Sequence, residues 1–130
     1  MALRKTLLSA FLTAGLFASP ALAFQSQNNF TVRQIDSQRF EVKSRGGLGA
    51  SDAWCAAGDF VISGLRLPRG TTVWRISEPP RPRGQSIVFS LSSEGAASTT
   101  GLVGSSRDSS LSASHGEAMC QSLRELQRNR

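Results

Sequence analysis

The sequence predicts an α+β domain: an antiparallel sheet of four or five strands carrying two helices on one face, in the order ββαββ(β)α, with a disulfide joining the helices. Three observations lead there. Short runs at 30–43, 72–76 and 86–91 alternate apolar and polar residues or are rich in β-branched and aromatic ones, as strands are. Two longer stretches, beginning at Ser51 and Ser114, repeat their apolar residues with the period of a helix instead. Cys55 and Cys120, the two cysteines of the chain, fall one in each helical stretch, at the edge of its apolar stripe.

Residues 1–23 read as a cleaved signal peptide. Arg4 and Lys5 form a short basic start, Leu7 to Phe17 an apolar stretch, and Ala21-Leu22-Ala23 the small residues that a signal peptidase reads. The apolar stretch is shorter than the roughly 20 residues of a spanning helix, and Pro20 follows it, so a retained anchor is not expected. What remains, 24–130, is expected to be one α+β domain that is not transmembrane and is periplasmic or secreted. In such an oxidising compartment an even cysteine count points to a structural bridge, Cys55 to Cys120, rather than to a metal site or a catalytic thiol.

Phe24 to Asn29 are polar enough to read as a frayed start. Phe30 and Val32 alternate with Thr31 and Arg33, and Arg39 to Lys43 alternate charged and apolar residues, giving two half-buried strands joined by a turn at Asp36-Ser37. The glycine-rich piece Arg45-Gly46-Gly47-Leu48-Gly49 lacks the lysine and hydroxyl of a P-loop and the spacing of a dinucleotide fingerprint, so it reads as a connector. In the first helix Trp54, Cys55, Gly58, Val61, Ile62 and Leu65 share one side, with Ser51 or Asp52 as the cap and Gly64 as the left-handed stop. Gly58, costing about 1 kcal/mol relative to alanine in a helix, implies a close backbone neighbour. Thr72 to Ile76 and Ser86 to Leu91 are the strongest strand signals, with Thr72, Trp74 and Ile76 facing Ile87, Phe89 and Leu91 on the expected inner face. The loop Glu78 to Gly84 between them is stiffened by three prolines. From 92 to 114 Ser, Gly, Ala and Thr dominate, giving a loop that is either mobile throughout or holds one poor edge strand near Thr99 to Val103. Ser114 and Glu117 have capping-box spacing for the last helix, whose stripe is Met119, Cys120, Leu123 and Leu126.

The net charge is +6 for the full chain, and 13 of its 15 basic residues are arginine. Nucleic acid is not an expected partner of an exported protein; an envelope protein or an anionic envelope polymer is. Arg66, Arg69, Arg75, Arg81 and Arg83 surround the proline loop, and Arg69, Arg75, Arg81 and Arg83 are the candidate anion-binding residues. No catalytic residue is assigned. His115, the single histidine, stands five residues before Cys120 and not on its helical face, which argues against a Cys-His pair. The residues offer no metal-binding cluster and no Cys-x-x-Cys redox pair, and no cofactor is expected.

Trp54-Cys55-Ala56-Ala57-Gly58-Asp59, followed by a tryptophan-containing strand, a proline-arginine loop and Ile87-Val88-Phe89-Ser90-Leu91, resembles a group of small exported alphaproteobacterial proteins, over Phe30 to Leu126. The resemblance implies a bacterial periplasmic setting and a bridged pair of helices, and carries no catalytic implication. The expected function is a small non-enzymatic binding or interaction module. One alternative is a hydrolase of envelope polymers acting through Asp52, Asp59 or Glu41, since paired carboxylates serve as acid and base in glycoside cleavage. Another is a structural or stress-related envelope protein.

Overall fold

The computed structural model describes residues 23–104 and 108–130. Residues 1–22, all but the last residue of the expected signal peptide 1–23, and the side chain of Leu123 lie outside the described residues. The chain runs β1 (Phe24–Gln25), β2 (Thr31–Gln34), β3 (Arg39–Val42), α1 (Ala50–Asp59) with a π-helical turn at Phe60–Gly64, β4 (Thr72–Arg75), β5 (Ile87–Ser90), β6 (Ser110–Ser112) and α2 (Ala113–Arg128). All strand pairs are antiparallel, in the order β1-β2-β3-β5-β4-β6. The predicted class therefore holds, with six strands rather than four or five.

The two additional strands lie at the sheet's edges. Phe24, read as part of a frayed start, pairs with Val32, and its ring meets that of Phe60 at 5.5 Å. A half-buried aromatic side chain packed against the core in this way holds even a two-residue strand in place. The late edge strand is β6, not Thr99 to Val103: Val73 pairs with Leu111, the apolar residue that the serine-rich stretch offers at the right distance from α2.

Val32, Phe40, Val42, Val73, Ile87 and Phe89 point from the sheet into one core with Trp54, Ala57, Phe60 and Val61. The inner face of β4 differs from expectation, because Val73 and Arg75 point inward while Thr72 and Trp74 face out. Period-two alternation cannot choose between two half-apolar faces; the choice here follows from carbonyl groups that await the Arg75 side chain inside.

α1 is buried on every side from Ala53 to Asp59, and burial continues through Phe60 and Val61. Small residues at 53, 56, 57 and 58 make this possible by letting the sheet and α2 approach closely. An alanine Cβ at Gly58 would stand 2.5 Å from both the Ala113 carbonyl oxygen and the Glu117 nitrogen, and one at Gly116 would stand 2.6 Å from the Trp54 carbonyl oxygen. Cys55 and Cys120 close the crossing as a disulfide, with their Cα atoms 5.0 Å apart. The expected bridge and the expected tight contact at Gly58 are both present.

The helix ends differ from their sequence reading. α1 starts at Ala50 behind Gly49, which supplies no side-chain cap, and Asp52 sits in the first turn where the helix dipole favours a negative charge. At the other end the helix widens: Leu65 N–H donates to the Phe60 oxygen at 2.8 Å, five residues back, and the left-handed residue is Arg66 (φ 56°), not Gly64. α2 is capped by Ser112, whose Oγ accepts from the His115 N–H at 3.2 Å. Glu117 is thereby free to pair with Arg69 at 2.9 Å. Leu126 is 63% exposed, because α2 runs past the edge of the domain after Cys120.

Candidate functional site

The connector after β3 and the proline loop between β4 and β5 meet at one end of the sheet. Ser44, Gly46, Gly47, Arg81, Arg83 and Gly84 line an open depression of about 720 Å³ there. Arg81 joins its two walls. Its Nε donates to the Leu48 oxygen and its Nη1 to Ser44 Oγ, both at 3.3 Å, while Nη1 also reaches the Gln85 oxygen at 2.8 Å. A planar guanidinium bonded to fixed carbonyls loses much of its rotamer freedom before any ligand arrives.

The lining contains two guanidinium groups and no carboxylate. Among the described residues, Arg83 and the Nη2 nitrogen of Arg81 have no hydrogen-bond or ion-pair partner. The same is true of the backbone N–H groups of Gly46 and Gly47. Gly46 adopts φ +76°, and a Cβ at either glycine would meet nothing within 4 Å, so these residues form a bare backbone wall. Backbone N–H groups without partners and guanidinium groups that face no carboxylate, around an open hollow, are the components of an anion site.

The other two candidate arginines stand elsewhere. Arg69 is paired with Glu117 on α2. Arg75 is 2% exposed, with Nε donating to the Ser77 oxygen at 2.8 Å and Nη1 to the Thr100 oxygen at 3.1 Å. Burial pulls its pKa below the usual arginine value, opposed by the charge of nearby Glu78. The Glu78 carboxylate in turn accepts from the Ser98 hydroxyl and N–H, which hold its pKa below the ordinary 4.5. The Thr100 oxygen also accepts from Trp54 Nε1 at 3.0 Å, so Arg75 and Trp54 together pin the serine-rich segment to the core.

No family model, characterised protein or solved structure matches the chain. The chemistry of its surface therefore carries the functional argument. The three carboxylates of the hydrolase alternative do not converge. Both oxygens of Asp59 are engaged, Oδ2 by the Gln27 N–H at 2.9 Å and Oδ1 by Gln27 Nε2 at 3.1 Å, and the group is 3% exposed. Glu41 stands on the outer sheet face between Arg33 and Lys43, at 2.7 and 3.1 Å, away from α1. Asp52 lines a cleft to whose lining neither Asp59 nor Glu41 contributes. Among the described residues no group of three or more His, Cys, Asp or Glu is placed to hold a metal ion, and no helix is long and apolar enough to cross a membrane.

Arginine density beside a rigid loop was legible in the sequence, which left open whether those arginines meet in one site. The part played by Ser44, Gly46 and Gly47 was not, since a glycine connector looks the same in sequence whether or not an arginine loop folds across it.

Proposed function

We propose that this is a small exported, non-enzymatic binding module whose Arg81 and Arg83 groove takes the anionic groups of an envelope polymer or envelope protein. The observation that carries the reading is the meeting of two guanidinium groups and the Gly46-Gly47 backbone around a hollow lined by no carboxylate. Arg81 is held by its loop contacts, so a bound phosphate or carboxylate meets an ordered donor and less ordering entropy opposes binding. Export rests on the leader pattern of 1–23 and is supported by the Cys55–Cys120 bridge, which is stable in an oxidising compartment. Membership of the small alphaproteobacterial group that the Trp54 to Asp59 segment resembles belongs to the same proposal.

The test is binding to polyphosphate and to polygalacturonate, with neutral dextran as control, over a range of salt. Saturable, salt-sensitive binding to one or both polyanions is expected. Arg83→Glu is expected to weaken it roughly tenfold, as loss of a charged hydrogen bond does, while Asp52→Asn and Glu41→Gln leave it unchanged. Equal binding by Arg83→Glu, or polymer cleavage that disappears with the carboxylate substitutions, would refute the binding reading and favour the hydrolase.

A further inference from the structure

A second cleft lies between the turn after β1, the start of α1 and the second half of α2. It encloses about 220 Å³, and its walls include Gln27, Asn28, Asp52, Cys120, Arg124 and Gln127. Each wall is held independently of any ligand. Asn28 Nδ2 donates to the Asp52 backbone oxygen at 2.9 Å, which fixes the turn on α1. Gln27 grips Asp59 through two nitrogens, at 2.9 and 3.1 Å, and its Oε1 accepts from Arg124 Nη2. The disulfide at Cys120 fixes α2 against α1 at the same level.

The charges in this cleft are left open. Among the described residues the Asp52 carboxylate takes part in no hydrogen bond or ion pair, and Arg124 has only the neutral Gln27 amide as a partner. The two side chains thus carry opposite charges in one cleft without pairing with each other. A ligand with a single charge is attracted by one and repelled by the other. A ligand bearing an ammonium and a carboxylate satisfies both for one loss of translational and rotational freedom. The volume is below the roughly 300–1,000 Å³ of pockets for drug-sized ligands, which limits the occupant to a few heavy atoms.

We infer that the cleft between Asp52 and Arg124 binds a small zwitterion, with the ammonium at Asp52 and the carboxylate at Arg124, as a free amino acid or the charged ends of a very short peptide would present them. The amide groups of Asn28, Gln27 and Gln127 add neutral polar partners for the rest of such a ligand. The site is separate from the Arg81 and Arg83 groove and does not depend on it.

The experiment is a nuclear magnetic resonance titration of the oxidised protein with four probes: alanine, alanyl-alanine, ethylamine and propionate. Saturable shifts confined to the amides around Gln27, Asp52 and Arg124 are expected with alanine or alanyl-alanine and not with the single-charge probes. The tighter of the two zwitterions then assigns the source, free amino acid or peptide. Asp52→Asn and Arg124→Gln are each expected to weaken binding roughly tenfold or more, and Asp52→Glu and Arg124→Lys to retain part of it. Unchanged circular dichroism and unfolding midpoint would confirm that the variants are folded; a variant that fails this check is replaced by its charge-conserving partner. No saturable shift with either zwitterion, equal binding of propionate or ethylamine, or insensitivity to both charge-removing variants would overturn the inference.

Discussion

An arginine with 2% of its surface exposed has to find carbonyl oxygens for its N–H groups, and Arg75 finds those of Ser77 and Thr100. The second of these lies 25 residues further on, in a serine-rich segment whose composition leaves open whether it is ordered. Arg75→Ala is expected to lower the unfolding free energy by about 3 kcal/mol, from the volume left empty and the Ser77 oxygen left without its guanidinium donor, while the Thr100 oxygen keeps Trp54 Nε1. Arg75→Met fills most of that volume and removes a buried charge, so its cost is expected to be about 1 kcal/mol. Urea unfolding of the two variants checks this; equal losses would mean that filling the volume plays no part in the role of Arg75. The burial itself was not legible. Arg75 alternates with Trp74 in a strand where either residue could face the core, and the deciding acceptor, Thr100, is remote in sequence.

Helix packing is where local sequence reached furthest into the structure. Gly58 in the middle of an apolar stripe implied a close backbone neighbour, and Cys55 and Cys120 implied a bridge between the helices; the structure makes α2 that neighbour. Gly116 completes the contact: an added Cβ would stand 3.5 Å from the Gly58 Cα, so the two glycines sit at the crossing point itself. Gly58→Ala removes the helix penalty of glycine, a gain of about 1 kcal/mol, yet places a methyl group 2.5 Å from two backbone atoms of α2. Backbone cannot rotate aside as a side chain can, so the overpacking cost of about 1–3 kcal/mol or more is expected to win. The predicted result is a net loss of about 2 kcal/mol with the disulfide intact, read from the denaturant midpoint; a variant as stable as the parent would show that the helices can slide apart freely. What stayed hidden at this scale were the helix ends and the edge strands. The π-helical turn at Phe60–Gly64 uses the same residues that an α-helix would, and the short β1 and β6 exist only because the sheet beside them is already formed.

For the molecule as a whole, the covalent link between the helices also sets how much of the fold depends on its compartment. The bridge closes a separation of 65 residues, which in the chain-entropy model stabilises the domain by roughly 4 kcal/mol. A small domain has a total stability of about 5–15 kcal/mol, so the reduced protein retains only a fraction of its margin. The sheet ends in strands of two and three residues, and its outer face carries Arg33, Arg39 and Lys43 beside a half-buried Trp74, so neither edge nor face offers a compensating layer. Export before folding would resolve this dependence, because the thiols then meet an oxidant as α1 and α2 first approach. The cut expected after Ala23 would leave Phe24, the first residue of β1, as the new terminus at the sheet edge. The intact mass of the exported protein, alkylated without reductant, is expected to match a chain starting at Phe24 with both cysteines oxidised and unalkylated. Its unfolding free energy is expected to fall by about 4 kcal/mol once reductant is added. Two alkylated cysteines would remove the bridge from the physiological fold, a retained leader would remove export by cleavage, and an unfolding free energy indifferent to reductant would place the stability in the Gly58–Gly116 crossing and the core alone.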